Sequence, residues 1–424
     1  MNRIILVGNG FDLAHGMKTS YQNFLNDYWN NTISEIKNVR ENRAFENDEI
    51  KIAKSPSVYV NGTDYKALLK ATNDFKTRIE FKNRFLKVIT DKQDIEKWVD
   101  VENEYYLLLK KSYDTTNRKP NHYEIKELNK DFSRIKDLLC EYLIKEEDNF
   151  NKNVGSDLLR TKSIIGHKIY RPFNLQDFSE QSLNQKAEEE YEYLKKDIEG
   201  LKNDGITMEE LSDEKRKLIQ KFGLDQPLKE IKRTLQSAGN ALNYFDLIPD
   251  QTLFLSFNYT FTDSLYGNPR NFDQFNDKKY TVAKLIHIHG TTNERDNNPI
   301  IFGFGDELDD DYKEIEKLND NNYLENIKSI NYLETDNYKK LLEFANSGNF
   351  QVFVFGHSCG TSDRTMLNTL FEHDNCVSIK PFYHQRNEND DNYSDIVRSI
   401  SRNFNDKAKM RDRVVNKTYC EPLR

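Results

Sequence analysis

The chain has 424 residues, a formal net charge of -8 and a sequence pI of about 5.7. That length accommodates two domains, or one domain with a large insertion, around a sizeable core. The negative balance speaks against a general nucleic-acid binder, which needs a basic face to neutralise phosphates, and favours a small-molecule or protein partner.

The first predicted element is a buried parallel strand at Ile4-Ile5-Leu6-Val7, an apolar run that breaks at Gly8-Asn9-Gly10-Phe11-Asp12. Glycines there allow a tight turn and a close approach of backbone to a ligand's phosphates. The polar continuation from Asp12 to Tyr21 predicts non-helical chain where a simple crossover would begin its helix. From Lys51 to Phe245 the period becomes helical. Ile125, Leu128, Phe132, Ile135, Leu139 and Tyr142 recur at steps of three and four, as do Tyr191, Leu194, Ile198 and Leu201, and Leu228, Ile231, Leu235 and Ala238. Strand signals return at Thr252–Phe257, Val282–Ile288, Pro299–Phe302, Gln351–Phe355 and Cys376–Ile379, with a helix expected over Ser362–Phe371 and Asp363 complementing its dipole. Asp309–Asp311, Asn319–Asn322 and Asn387–Asn392 read as polar loops, and the basic stretch after Ser401 as a solvated tail.

The cysteines Cys140, Cys359, Cys376 and Cys420 stand singly, which suits a reducing cytosol and predicts no metal site. No apolar run reaches the length of a signal-peptide core or a bilayer span, so a cytoplasmic protein without membrane contact is expected.

Several strand ends carry polar residues that could meet in one crevice. Asn258 ends a strongly apolar run, where its amide either satisfies neighbouring backbone or faces a ligand. His287 reads as a packed, hydrogen-bonded histidine, whereas His289, at the strand's end, suits proton transfer near neutral pH. Gly356-His357-Ser358-Cys359-Gly360 fits the G-x-S-x-G turn of serine hydrolases, although little chain follows to carry an acid and a histidine; the alternative is a turn that holds phosphate or ribose. Around Trp98, Glu102 shares a helical face with the tryptophan and Asp100 does not; a core tryptophan flanked by surface acids is the expectation.

The order Gly8-Asn9-Gly10-Phe11-Asp12, Ser256-Phe257-Asn258-Tyr259, Ile288-His289-Gly290, Pro299–Gly303 and Phe355–Ser358 resembles the sirtuin-type NAD-binding fold. The opening ILVGNGFDLAHGMKTSYQNFL, WVDVE at Trp98–Glu102 and FGHSCGTSD at Phe355–Asp363 more closely resemble AbiH-like phage abortive-infection proteins. These resemblances imply a Rossmann-like, sirtuin-like parallel sheet with a large, mostly helical insertion. The nucleotide domain would span 1–50 and 246–400, the insertion 51–245 and the basic tail 401–424. They also imply that Gly8, Asn9, Gly10, Phe11 and Asp12, with Gly356, His357 and Ser358, bind NAD, while Asn258 and His289 act in catalysis as the sirtuin-type asparagine and histidine base. Asp12 departs from the small hydroxyl residue of sirtuins, and the zinc cysteines and small zinc module are absent. Cleavage of a peptide's acyl group is thereby put in doubt, and hydrolysis of NAD(P) to nicotinamide and ADP-ribose is the expected activity. A phage-derived trigger and a second copy of the chain are the expected partners. A non-catalytic nucleotide switch and a serine hydrolase remain as alternatives.

Overall fold

The computed structural model describes all residues except 41–42, 93–97, 114–122, 154, 204, 224–225, 238–240, 276 and 278. Its centre is a five-stranded parallel sheet. The strands are β1 (Asn2–Val7), β2 (Thr252–Ser256), β3 (Lys284–His287), β4 (Phe350–Phe355) and β5 (Cys376–Phe382). They lie in the order β3-β2-β1-β4-β5, so the N-terminal strand is central and pairs with β2 on one side and β4 on the other. Chain order reverses at the β1/β4 boundary, the position where open α/β sheets open a ligand crevice beyond their carboxyl ends.

Both faces of the sheet are covered, which is why its central strands carry apolar runs without alternation, at Ile4–Val7, Leu253–Leu255 and Val352–Phe355. Ile4, Leu6, Leu253 and Val352 pack with Leu341, Leu367 and Ile400 on one side. Ile5, Val7, Phe254 and Phe353 pack with Ile165 and Ile169 on the other.

Leaving β1, the chain turns at once into α1 (Asn9–Ala14), so the expected non-helical stretch is limited to residues 15–20. Phe11 explains the difference. Its ring is buried against His15, Tyr266 and Phe355, and the helical turn is what carries it there. Next come α2 (Tyr21–Asn38), capped by Ser20 at Asn23 N, and, within the long helical segment, α3 (Trp98–Tyr113), α4 (Ile125–Lys152) and α5 (Ser156–Tyr170). Leu128, Phe132, Ile135, Leu139 and Tyr142 form the buried stripe of α4. Its core also takes in a three-stranded antiparallel sheet, Phe45–Glu46, Ile50–Ile52 and Ile79–Phe81, that no sequence pattern indicated. Ala238 of the third predicted stripe and the side chain of Trp98 lie outside the described residues.

Further expectations are corrected. Strand β3 ends at His287, not at His289. Pro299–Phe302 pairs with no strand: Ile301 N bonds His289 O at 2.8 Å, and Phe302 stacks on Phe132 of α4, 4.7 Å between ring centroids. Asp310–Lys317 is helical and the loop over 387–392 contains a small antiparallel pairing. The basic tail is part of the fold. Helix Lys407–Arg413 leads into a segment in which Val415 N bonds Ile379 O and Leu423 N bonds Tyr383 O, and Arg413 is buried with Nη1 on Phe371 O. Among the described residues no helix is long and apolar enough to cross a membrane.

Candidate functional site

A cavity of about 600 Å³ opens at the carboxyl ends of β1, β2 and β4 and at the turn beyond β3. Its walls include Gly8, Asn9, Gly10 and Asp12 from the first turn, Asn258 and His289, and Gly356, His357 and Ser358 from the turn after β4. Phe11 alone of the expected ligand residues is absent from the wall, because it faces the core.

The glycines bring the two turns together. A Cβ on Gly8 would sit 2.5 Å from His357 Cα, and one on Gly10 2.8 Å from Gly356 O. Gly356 has φ +68°, and its Cβ would sit 2.1 Å from Phe11 N. Gly8 N bonds Phe355 O, Gly10 N bonds Gly356 O and Phe11 N bonds Gly8 O. The amides of Gly8 and Gly10 are thus used in holding the first turn to the end of β4 and the turn after it, and that of Phe11 within the first turn.

Asn258 donates from Nδ2 to Gly8 O at 3.0 Å, which ties the end of β2 to the first turn. Asp12 accepts hydrogen bonds from the Thr260 and Thr262 hydroxyls, and burial, outweighing them, pushes its carboxyl up to about 6. Asn9 accepts from Thr19 Oγ1 at 2.6 Å. His287 is packed and bonded as expected: Nε2 lies 3.2 Å from Asp263, and that carboxylate outweighs burial and raises the imidazole.

A buried ionic cluster forms the deeper wall. Lys328, 1% exposed, places Nζ 2.7 Å from Glu102 Oε1 and 2.8 Å from Asp363 Oδ1. Asp363 Oδ1 also lies 3.2 Å from His289 Nε2, and Oδ2 lies 3.6 Å from His357 Nε2. His289 Nε2 is 3.2 Å from the Tyr332 hydroxyl, with the two rings stacked. Burial would raise the Asp363 carboxyl, but Lys328 and His289 outweigh it and hold it well below the usual range. Burial raises Glu102 despite Lys328. Burial and Lys328 push His289 down to about 4, so it is neutral at physiological pH.

Two expectations change here. Asp363 precedes helix Arg364–Phe371 without capping it, and its carboxylate belongs to the ionic cluster. Glu102, expected on the surface, is 5% exposed and reaches the cavity from α3. Lys328 carried no signal of its own: a lysine beside Ile327 in a polar stretch looks like any surface lysine. The WVDVE segment did hold a signal for Glu102, in the helical face it shares with Trp98.

The serine hydrolase geometry is not built. Left-handed backbone falls on Gly356 and Cys359 and not on Ser358, and among the described residues no histidine hydrogen-bonds the Ser358 hydroxyl. A second cavity, of about 630 Å³, lies by Glu147, Phe261 and Arg295 and gathers none of the expected site residues. Among the described residues no group of three or more His, Cys, Asp or Glu side chains is arranged to hold a metal ion.

The family model of bacteriophage abortive infection AbiH matches residues 4–384. No curated protein and no solved structure matches the chain.

Proposed function

The chain belongs to the bacteriophage abortive infection AbiH family, which gives it an antiphage role, and from that premise we propose that the sheet-end cleft is the effector site and hydrolyses NAD(P)+. The observation that carries this reading is the meeting of the Gly8 and Gly356 turns, Asn258 and His289 on one cavity at the β1/β4 reversal. Its volume falls in the range of small-ligand pockets, about 300–1,000 Å³. Water attacks the ribose C1′ as the bond to nicotinamide breaks with its electrons, nicotinamide leaves neutral, and the proton of the water passes to His289. Positive charge grows on the sugar in that step, as in glycoside hydrolysis. The Glu102–Lys328–Asp363 cluster, with one more carboxylate than ammonium, provides a complementary field. In this reading Asn9 and Ser358 contact the nucleotide, the sheet is sirtuin-like, and the helical segment answers to a phage-derived trigger or to self-association.

The test is release of nicotinamide from NAD+ and NADP+ by the purified protein, with and without extract of phage-infected cells. His289→Ala should lower it by about 10²- to 10⁴-fold. Nucleotide binding with no release under any condition would leave a non-catalytic switch and end the hydrolase reading.

A further inference from the structure

Asp363 holds two histidines, and the bonds around them are not equivalent. His357 accepts the Cys359 amide at Nδ1, 3.0 Å away, so its one imidazole lone pair is taken, and its Nε2 lies 3.6 Å from Asp363 Oδ2. His289 directs Nε2 at Asp363 and the Tyr332 hydroxyl, and among the described residues nothing hydrogen-bonds its Nδ1. An ionised carboxylate only accepts hydrogen bonds. A bare nitrogen lone pair 3.2 Å from it would be repelled, so the proton of the neutral imidazole must sit on Nε2.

Retaining this cluster needs a reason. Buried ion pairs are often replaceable by apolar side chains without loss of stability. Here the ions come from separate parts of the chain: Glu102 from α3, Lys328 from the segment before β4, Asp363 from the turn after it.

We propose that Asp363 is the positioning residue for His289, fixing its imidazole as the Nε2–H tautomer with Nδ1 as the atom that takes a proton, and that Lys328, held by Glu102, keeps Asp363 in place for this task. The inference rests on the hydrolase reading for its consequence in turnover, but not for its geometry. His357 is excluded as the base because its Nδ1 lone pair already accepts the Cys359 amide, which leaves the proton of the neutral ring on Nε2. The helical segment is tied to the proton acceptor through one continuous set of contacts, α3 to Lys328 to Asp363 to His289.

The experiment is nitrogen NMR of the full chain labelled at its 8 histidines, with the His289 signals assigned by their loss in His289→Gln. The unsubstituted protein should show His289 with a protonated Nε2 and an unprotonated Nδ1, unchanged from pH 6 to 8. An Nδ1–H tautomer, or an imidazolium at pH 7, overturns the proposal whatever any variant does. Asp363→Asn should mix the tautomers and lower kcat for nicotinamide release by at least about 10²-fold while KM stays within about threefold. Glu102→Gln, which leaves Lys328 on Asp363, should keep the tautomer and serves as the control for cluster charge. An unchanged tautomer in a folded Asp363→Asn protein also overturns it. If the tautomer behaves as stated and no form releases nicotinamide, the positioning stands and the hydrolase reading falls.

Discussion

Replacing Lys328 by Met removes, among the described residues, the only ammonium within bonding distance of Glu102 and Asp363 and leaves two carboxylates facing a nearly solvent-free space. Methionine fills a similar volume, so the loss is electrostatic rather than a cavity. Removing one partner of a buried pair typically costs about 3–5 kcal/mol, because the remaining charge is uncompensated. At about 2.1 cal/mol/K per residue, unfolding a chain of 424 residues as one unit has an entropy near 0.9 kcal/mol/K, so Tm should drop by about 3–6 °C. The sign with pH follows from Glu102, whose carboxyl burial already raises. Without Lys328 it rises further, and a group whose folded pKa lies above its unfolded value contributes stability at low pH that is lost as pH rises. The deficit should grow between pH 5 and pH 8, and Lys328→Met combined with Glu102→Gln should recover much of it. The assay is scanning calorimetry of the three proteins at both pH values. Should Lys328→Met melt within 1 °C of the parent at pH 8, or should Glu102→Gln worsen it, the ionic account of this cluster is wrong.

Asp12 has the same sign of linkage: its carboxyl sits at about 6 against an ordinary 3.8, so stability falls as pH rises through 6, and Asp12→Asn should relieve roughly 3 kcal/mol of that penalty at pH 8. Equal pH profiles for the parent and Asp12→Asn in urea melts would contradict the burial argument. His289 runs the other way, since an imidazole depressed to about 4 is stabilised neutral; stability drops as pH falls from about 6.5 towards 4, and His289→Gln should flatten part of that acid limb. Gly356→Ala should cost several kcal/mol or prevent folding, because its Cβ meets Phe11 N at 2.1 Å at a φ of +68°, whereas Ser358→Ala should fold normally and lose only nucleotide affinity by calorimetric titration.

The sheet was legible because a parallel strand buried on both faces must be apolar at every position, and Ile4–Val7, Leu253–Leu255 and Val352–Phe355 are. The α4 stripe was legible for the complementary reason, since only a helix repeats Leu128, Phe132, Ile135 and Leu139 at that spacing. Pro299–Phe302 misled because an apolar run says that side chains are buried, not that backbone is paired; its Phe302 is drawn to Phe132 in the helical core. Strands of two and three residues, as at Phe45–Glu46 and Ile50–Ile52, are too short to show a period. The ionic wall was hidden most completely. Glu102, Lys328 and Asp363 lie far apart in the chain, and in sequence a buried ion pair has the same letters as an exposed one. Only tertiary packing distinguishes them. The two histidines illustrate the same limit: their types suggested proton chemistry, but which nitrogen is free depends on a Cys359 amide and a carboxylate brought in by the fold.

The central position of β1 has a bearing on biosynthesis. Arg3 pairs with Thr252 and Asn2 with Phe350, so β1 waits for about 250 further residues before its first partner strand is made and about 350 before its second, roughly 20–70 s for the latter at about 5–20 residues per second. The helical segment between β1 and β2 is made during that interval, while β1 waits unpaired. A nascent chain arrested anywhere before β4 contains neither the Gly356 turn nor Asp363, and so has no cleft. Under the proposed function, the activity cannot appear before β4 and the turn after it have been made.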